Sequence, residues 1–330
     1  MPCYSPLNAF AVNPVYKDGT IGKREIVWSE NKINPNYIAK KIEIPCGQCI
    51  GCRLAYSREW ANRCMLEAKE HEHNWFLTVT YRNEHLPITP IVNTKTGEQT
   101  YISTLRPKDI QKFIKDLRRY YEYHYNHKGI RYYLCGEYGS LTERAHYHIL
   151  IYNLPIYDLK PHKRMKTGLL YNSETLEKIW KKGIIGICEM TWETCAYTAR
   201  YMMKKQKGEG AKEYYENRGI EPEFCRMSRN PGIGRKYYDL NKEKIYENDE
   251  IWITGGNGKA KKIKPPKYYD KLFDIENPDE MEQIKAEREY KLYEIEKTKM
   301  SKTTLSRKEQ RELEKRAKEE KLKVLIRPYE

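Results

Sequence analysis

Apolar positions in the middle of the chain fall into two alternating periods, and the elements they predict follow one another in a definite order. Trp75 to Tyr81 (WFLTVTY) is β-branched and aromatic and predicts a strand. From Lys108 to Tyr125 the apolar residues Ile110, Phe113, Ile114 and Leu117 recur at helical spacing, and Gly129 follows as a stop. Ile130 to Glu137 and Ala145 to Tyr152 read as two strands joined by a turn over Tyr138 to Arg144. Ser173 to Lys182 opens on an N-cap and spaces Leu176, Ile179 and Trp180 on one helical face. Ile184 to Met190 is strand-like, and Thr191 opens a helix through about Lys205. Strand, helix, strand, strand, helix, strand predicts an α+β fold: a ferredoxin-like split βαβ antiparallel sheet with helices on one face.

Outside this stretch the patterns are weaker. Residues 1–56 read as an irregular leader with one strand-like segment, Ala39 to Ile44, and a cysteine cluster; residues 57–72 suit a capped amphipathic helix. The core then spans 57–207, an irregular aromatic and basic extension 208–277, and a mixed-charge tail, helical or disordered, 278–330. Lys and Arg number 61 against 46 Asp and Glu, a net charge of +15, and 29 tyrosines offer faces on which bases can stack, so nucleic acid is the expected partner. No segment has the 18 or so apolar residues of a membrane span, and Met1 to Val12 lacks a secretory pattern; no membrane partner and a cytoplasmic location are expected.

Candidate chemistry centres on His146, Tyr147 and His148. Two imidazoles two residues apart on a strand project from one face and can grip one cation. A hairpin centred between Leu141 and Thr142 sets Glu137 opposite His146 as a third ligand, with Glu143 in reserve should the register slip. Two imidazoles and a carboxylate suit Mg²⁺ or Mn²⁺ on a phosphate, nitrogen ligands favouring Mn²⁺. Tyr197 and Tyr201 lie one helical turn apart, with Lys204 beside Tyr201, and could deliver a phenolate to phosphorus while the lysine offsets charge. Chance alone gives roughly two to three such tyrosine pairs in so tyrosine-rich a chain. Tyr121, Tyr125 and Lys128 repeat the spacing, but seven residues of strand, roughly 20 Å, separate them from Glu137.

The stretches PCGQCIGCRLAYSREWANRC from Pro45, FLTVTY from Phe76, CGEYGSLTERAHYHILIY from Cys135 and YTARYMMKK from Tyr197 resemble the HUH endonuclease superfamily. The resemblance is to replication initiation proteins of gokushovirus-type microviruses, which are single-stranded DNA bacteriophages. It implies metal ligands at His146, His148 and Glu137, nucleophiles at Tyr197 and Tyr201 with Lys204, and an HUH nicking core over 57–207. It also implies rolling-circle initiation at a viral origin in the bacterial cytoplasm, by a metal-dependent DNA endonuclease and strand transferase, with the host's polymerase and helicase as partners. Tyr147, at the middle position of the histidine motif, departs mildly from the family's pattern. Two other readings stand beside this one: a non-catalytic single-stranded nucleic-acid binder, and a metal-dependent hydrolase in which water attacks.

Cys46, Cys49 and Cys52 recur every third residue, with Cys64 or the distant Cys3 as a fourth ligand for a structural zinc; free thiols and an iron–sulfur cluster are the other readings. With nine cysteines unevenly placed, thiols or metal ligands are expected over disulfides.

Overall fold

The computed structural model describes residues 3–22, 24–92, 96–165, 168–200, 210–254 and 260–323. Its backbone forms two units, one of residues up to Tyr56 together with a segment from Tyr293, the other built on Ser57–Leu292.

The first unit corrects the expectation of an irregular leader. β1 (Leu7–Pro14), β2 (Glu25–Val27) and β3 (Tyr37–Ile44) form an antiparallel sheet of order β2-β1-β3, in register from Leu7 opposite Ile44 to Pro14 opposite Tyr37. Short apolar patches suffice because β1 buries Ala9, Ala11 and Val12 while most of β3 stays exposed. α1 (Ile50–Ala68) begins in this unit, seven residues ahead of the predicted start at Ser57; IGCRLAY has no proline, and its one glycine falls in the first turn.

In the second unit come β4 (Asn74–Thr80), β5 (Ile88–Val92), β6 (Gln99–Ser103), α2 (Pro107–Tyr125), β7 (Arg131–Tyr138) and β8 (Ala145–Tyr152). They are followed by β9 (Lys160–Met165), β10 (Gly168–Asn172), α3 (Glu174–Trp180), β11 (Ile185–Glu189) and α4 (Trp192–Arg200). Seven strands make one antiparallel sheet of order β12-β7-β8-β4-β11-β10-β9, with β12 at Phe224–Met227. Within it β11, β4, β8 and β7 are adjacent, β4 reaching β7 through α2 and β8 reaching β11 by way of the β9–β10 hairpin and α3.

Helices cover both faces of this sheet, a correction to the expectation of one. Leu77, Val79, Leu134, Tyr147, Ile149 and Ile151 pack with Ile110, Phe113, Ile114 and Leu117 of α2 and with Leu176 and Trp180 of α3. The alternate residues Phe76, Tyr133, Cys135, Leu150 and Tyr152 pack with Ala61 and Cys64 of α1 and with Cys195, Ala196 and Tyr197 of α4. The cause is legible in β8, where HILIY after His146 leaves no polar face; a strand apolar on both sides must be covered on both. Each fully buried Leu, Ile or Phe contributes about 1.5–3 kcal/mol.

The expected irregular extension is folded as well. α5 (Ala211–Arg218), β12, α6 (Arg235–Asn248), β13 (Ile251–Thr254), β14 (Ala260–Ile263) and α7 (Lys267–Glu276) occupy it, and Tyr238, Tyr246, Ile251, Ile253, Tyr269 and Phe273 form a third apolar cluster around Leu66. Its aromatics hold a core together without long periodic runs: Tyr246 stacks on Phe273 with centroids 3.9 Å apart. The charged tail is helical over α8 (Pro278–Met300) and α9 (Arg307–Lys323). In the first unit Arg311 of α9 pairs with Glu43 of β3. Among the described residues no helix is long and apolar enough to cross a membrane.

Candidate active site

The β7–β8 register sets Glu137 opposite His146 and Cys135 opposite His148. Side chains alternate along a strand, so Glu137, His146 and His148 share the face that α1 and α4 cover. His146 Nε2 lies 2.9 Å and His148 Nε2 3.0 Å from the same Glu137 oxygen, Oε1. One ligand atom from each of the three falls within 4.8 Å of the others. Glu137 and His148 are fully buried, and the side chain of His146, 12% exposed, is the group that meets solvent. Beside it a cleft is lined by Thr78, Thr80, Tyr81, Ser140 and Arg144.

Neighbours hold both rings with Nε2 inward. His146 Nδ1 donates to the Arg144 carbonyl at 3.0 Å, which turns Nε2 toward Glu137, where a cation would sit. Thr78, opposite His148 in the β4–β8 ladder, brings its hydroxyl within 3.2 Å of His148 Nδ1. Phe76 stacks on His148 at 5.3 Å and 13°. Burial alone would raise the Glu137 carboxyl, but hydrogen bonds from His146 and His148 outweigh it and hold the group at about 2. A carboxylate that stays ionised, with two imidazole nitrogens beside it, fits a divalent cation.

Tyr147 points the other way. Its phenol, pushed up to about 12 by burial, accepts from the Arg106 amide, donates to the Arg106 carbonyl and lies 2.9 Å from the Tyr81 hydroxyl. A tyrosine is tolerated at this otherwise apolar position because its hydroxyl is satisfied there.

α4 carries Tyr197 onto the same face as Glu137, His146 and His148. Thr191 and Thr194 cap the helix reciprocally, each side-chain oxygen accepting from the other's backbone amide. Ser57 of α1 donates to the Ala196 carbonyl at 2.9 Å and Trp192 donates to Asn62, so α4 is tied to α1 on both sides of its first turn. The Tyr197 ring sits edge-on to His148 with centroids 5.2 Å apart. Tyr201 and Lys204 lie outside the described residues.

The other candidates are elsewhere. Glu143 is in the turn with φ +50° and pairs with Arg218 at 2.7 Å, and Glu137 is the carboxylate gathered with the two histidines. Tyr121 is buried on the opposite face against α2's neighbours, and His127, just past that helix, donates to Asn153 beyond the far end of β8. Cys3, Cys46, Cys49 and Cys52 gather their sulfurs within 4.8 Å, whereas Cys64 is buried in the second unit against Cys195. Thr78, Phe76 and the Arg144 carbonyl escaped sequence reasoning. The strand FLTVTY contains the first two, but only its pairing with β8 reveals which of its residues face the histidines.

The family model for replication-associated protein ORF2/G2P matches residues 74–206, a span holding Glu137, His146, His148 and Tyr197. Replication-associated protein ORF2 of Spiroplasma virus 4 is 39% identical over 278 residues, covering 83% of this chain and 79% of that protein. Replication-associated protein VP4 of Bdellovibrio phage phiMH2K is 29% identical over 86% of this chain and 83% of its own length. Replication-associated protein ORF4 of Chlamydia phage 1 is 33% identical over 49% of this chain and 38% of its own. No solved structure matches the chain. With likeness to the Spiroplasma virus protein running through most of both chains and through the histidine strand, the chain belongs to the replication-associated proteins of the microviruses, the replication initiators of these single-stranded DNA phages.

Proposed function

We propose that this protein is a metal-dependent endonuclease and strand transferase of the HUH type that nicks single-stranded DNA at the viral origin through a tyrosine. The observation that carries the reading is Tyr197 edge-on to His148, on the sheet face that also bears Glu137 and His146. The adjacent strands β11, β4, β8 and β7, with α2 and α3 as crossovers, support a ferredoxin-like split βαβ core.

Bound Mn²⁺ or Mg²⁺ supplies Lewis-acid polarisation of the scissile phosphate. Glu137, His146 and His148 would hold the cation, while Thr78 and the Arg144 carbonyl fix the rings. The phenolic oxygen of Tyr197 gives up its proton and attacks phosphorus; the bond to the 3′ oxygen breaks, and that oxygen takes a proton. The products are a 5′-phosphotyrosine and a free 3′ hydroxyl for the host polymerase. Tyr201 is the second nucleophile, letting initiation and termination alternate, and Lys204 offsets charge on the pentacoordinate phosphate. The host's helicase and polymerase are the partners, and the bacterial cytoplasm is the place.

The test is a denaturing gel of the full chain incubated with a single-stranded origin oligonucleotide and Mn²⁺. A covalent protein–DNA adduct that disappears with chelator is expected. Cleavage without adduct would mean that water attacks, and neither product would leave a non-catalytic binder.

A further inference from the structure

Four cysteines in the first unit take no part in that chemistry, and their geometry is that of a closed metal site. Cys3 Sγ lies 3.6 Å from Cys46 Sγ and 3.8 Å from Cys49 Sγ, and Cys52 completes a set within 4.8 Å. These separations are far from the ~2.05 Å of a disulfide. They match the ~3.8 Å edges of a tetrahedron with zinc–sulfur bonds of ~2.3 Å.

The backbone around the sulfurs is arranged for thiolates. The amides of Cys46, Tyr4 and Cys49 point at Cys3, Cys49 and Cys46 sulfurs, at 3.3, 3.3 and 3.2 Å. Gly47, at φ +72°, makes the turn that lets Cys46 and Cys49 converge; a side chain there would be strained. α1 starts at Ile50, which puts Cys52 in its first turn, where the helix dipole favours an anion. Cys3 arrives from 43 residues upstream because the β1–β3 ladder ends at Leu7 opposite Ile44, leaving the chain just before β1 beside the chain just after β3.

We infer that Cys3, Cys46, Cys49 and Cys52 hold a structural zinc ion that fastens the segment before β1 to the turn entering α1. Four protein sulfurs leave no coordination position for substrate, so the ion is a staple and not a second catalytic metal. Burial in the second unit excludes Cys64, and Cys3 is the fourth ligand. Binding releases the thiol protons and adds its free energy to the stability of the small β1–β3 sheet.

The experiment uses the full chain carrying His148→Ala, so that metal on the histidine site does not confuse the count. The expected result is one zinc per chain, replaceable by Co²⁺ with a thiolate-to-cobalt charge-transfer band. Cys3→Ser should weaken zinc binding by more than about 100-fold, while Cys64→Ala leaves band and stoichiometry unchanged. Should Cys3→Ser fail to fold, Cys52→His decides by retaining the metal with a weaker sulfur band. Iron with inorganic sulfide in place of zinc would overturn the assignment. So would four readily titrated thiols and no cobalt band in the folded chain, or loss of zinc in Cys64→Ala with retention in Cys3→Ser.

Discussion

Tyr121 with Tyr125 on α2 and Tyr197 with Tyr201 at α4 and beyond have the same spacing in sequence, yet the two helices lie on opposite faces of one sheet. Tyr121 is packed among Leu117, Ile130 and Leu154, and burial, then the charges of its neighbours, drives its phenol well above the ordinary range. It is a core residue on the sheet face opposite Glu137, His146 and His148. Tyr197 is nearly as buried, but its neighbour is His148. Spacing therefore says nothing about which tyrosine reacts. In the proposed reaction the parity of the strand residues under the helix favours Tyr197, because His146, His148 and Glu137 all have the parity that faces α4.

The strongest way to break this contrast is to remove the proposed metal site. His148→Ala or Glu137→Gln should lower DNA cleavage by on the order of 10³-fold or more, since the cation supplies several kcal/mol of charge stabilisation. Single-turnover cleavage with Mn²⁺ measures it, and near-normal rates would detach the triad from the chemistry.

Next in size, the Tyr197→Phe and Tyr201→Phe double variant should form no adduct, and either alone should retain part of it. Tyr121→Phe with Tyr125→Phe should leave adduct yield unchanged on the same gel.

Thr78→Val removes the hydroxyl at His148 Nδ1 and should weaken Mn²⁺ binding about 10–100-fold by titration calorimetry, with Thr78→Ser restoring it. The smallest effect is expected of Ser57→Ala, which frees the buried Ala196 carbonyl. It should cost about 1 kcal/mol in thermal or urea unfolding and only a few-fold in adduct formation. A larger drop in activity than in stability would mean that α4 must be held more tightly than this contact suggests.

Much of the site was legible because it is local. The turn centred between Leu141 and Thr142 determines the Glu137–His146 pairing, and period-two alternation does the rest. What escaped is what depends on distant pairing. Helices on both faces required reading HILIY as apolar on both sides, together with a start for α1 earlier than Ser57. The β9–β10 hairpin is too exposed and charged to carry an apolar pattern; KPHKRM is an edge strand protected by its lysines and arginine. Cys3 could not be matched to Cys46 without the β1–β3 ladder, which has no counterpart in cysteine spacing. The third cluster, around Tyr238, Tyr246 and Tyr269, was hidden because tyrosine is so frequent here that its positions carry little periodicity.

The most direct test is to isolate the covalent adduct formed by the full chain on a single-stranded origin oligonucleotide with Mn²⁺, digest it, and identify the DNA-bearing peptide by mass spectrometry. The prediction is a nucleotide on Tyr197 or Tyr201 and on no other tyrosine. A nucleotide on Tyr121 or Tyr125, or cleaved DNA with no modified tyrosine, would contradict it.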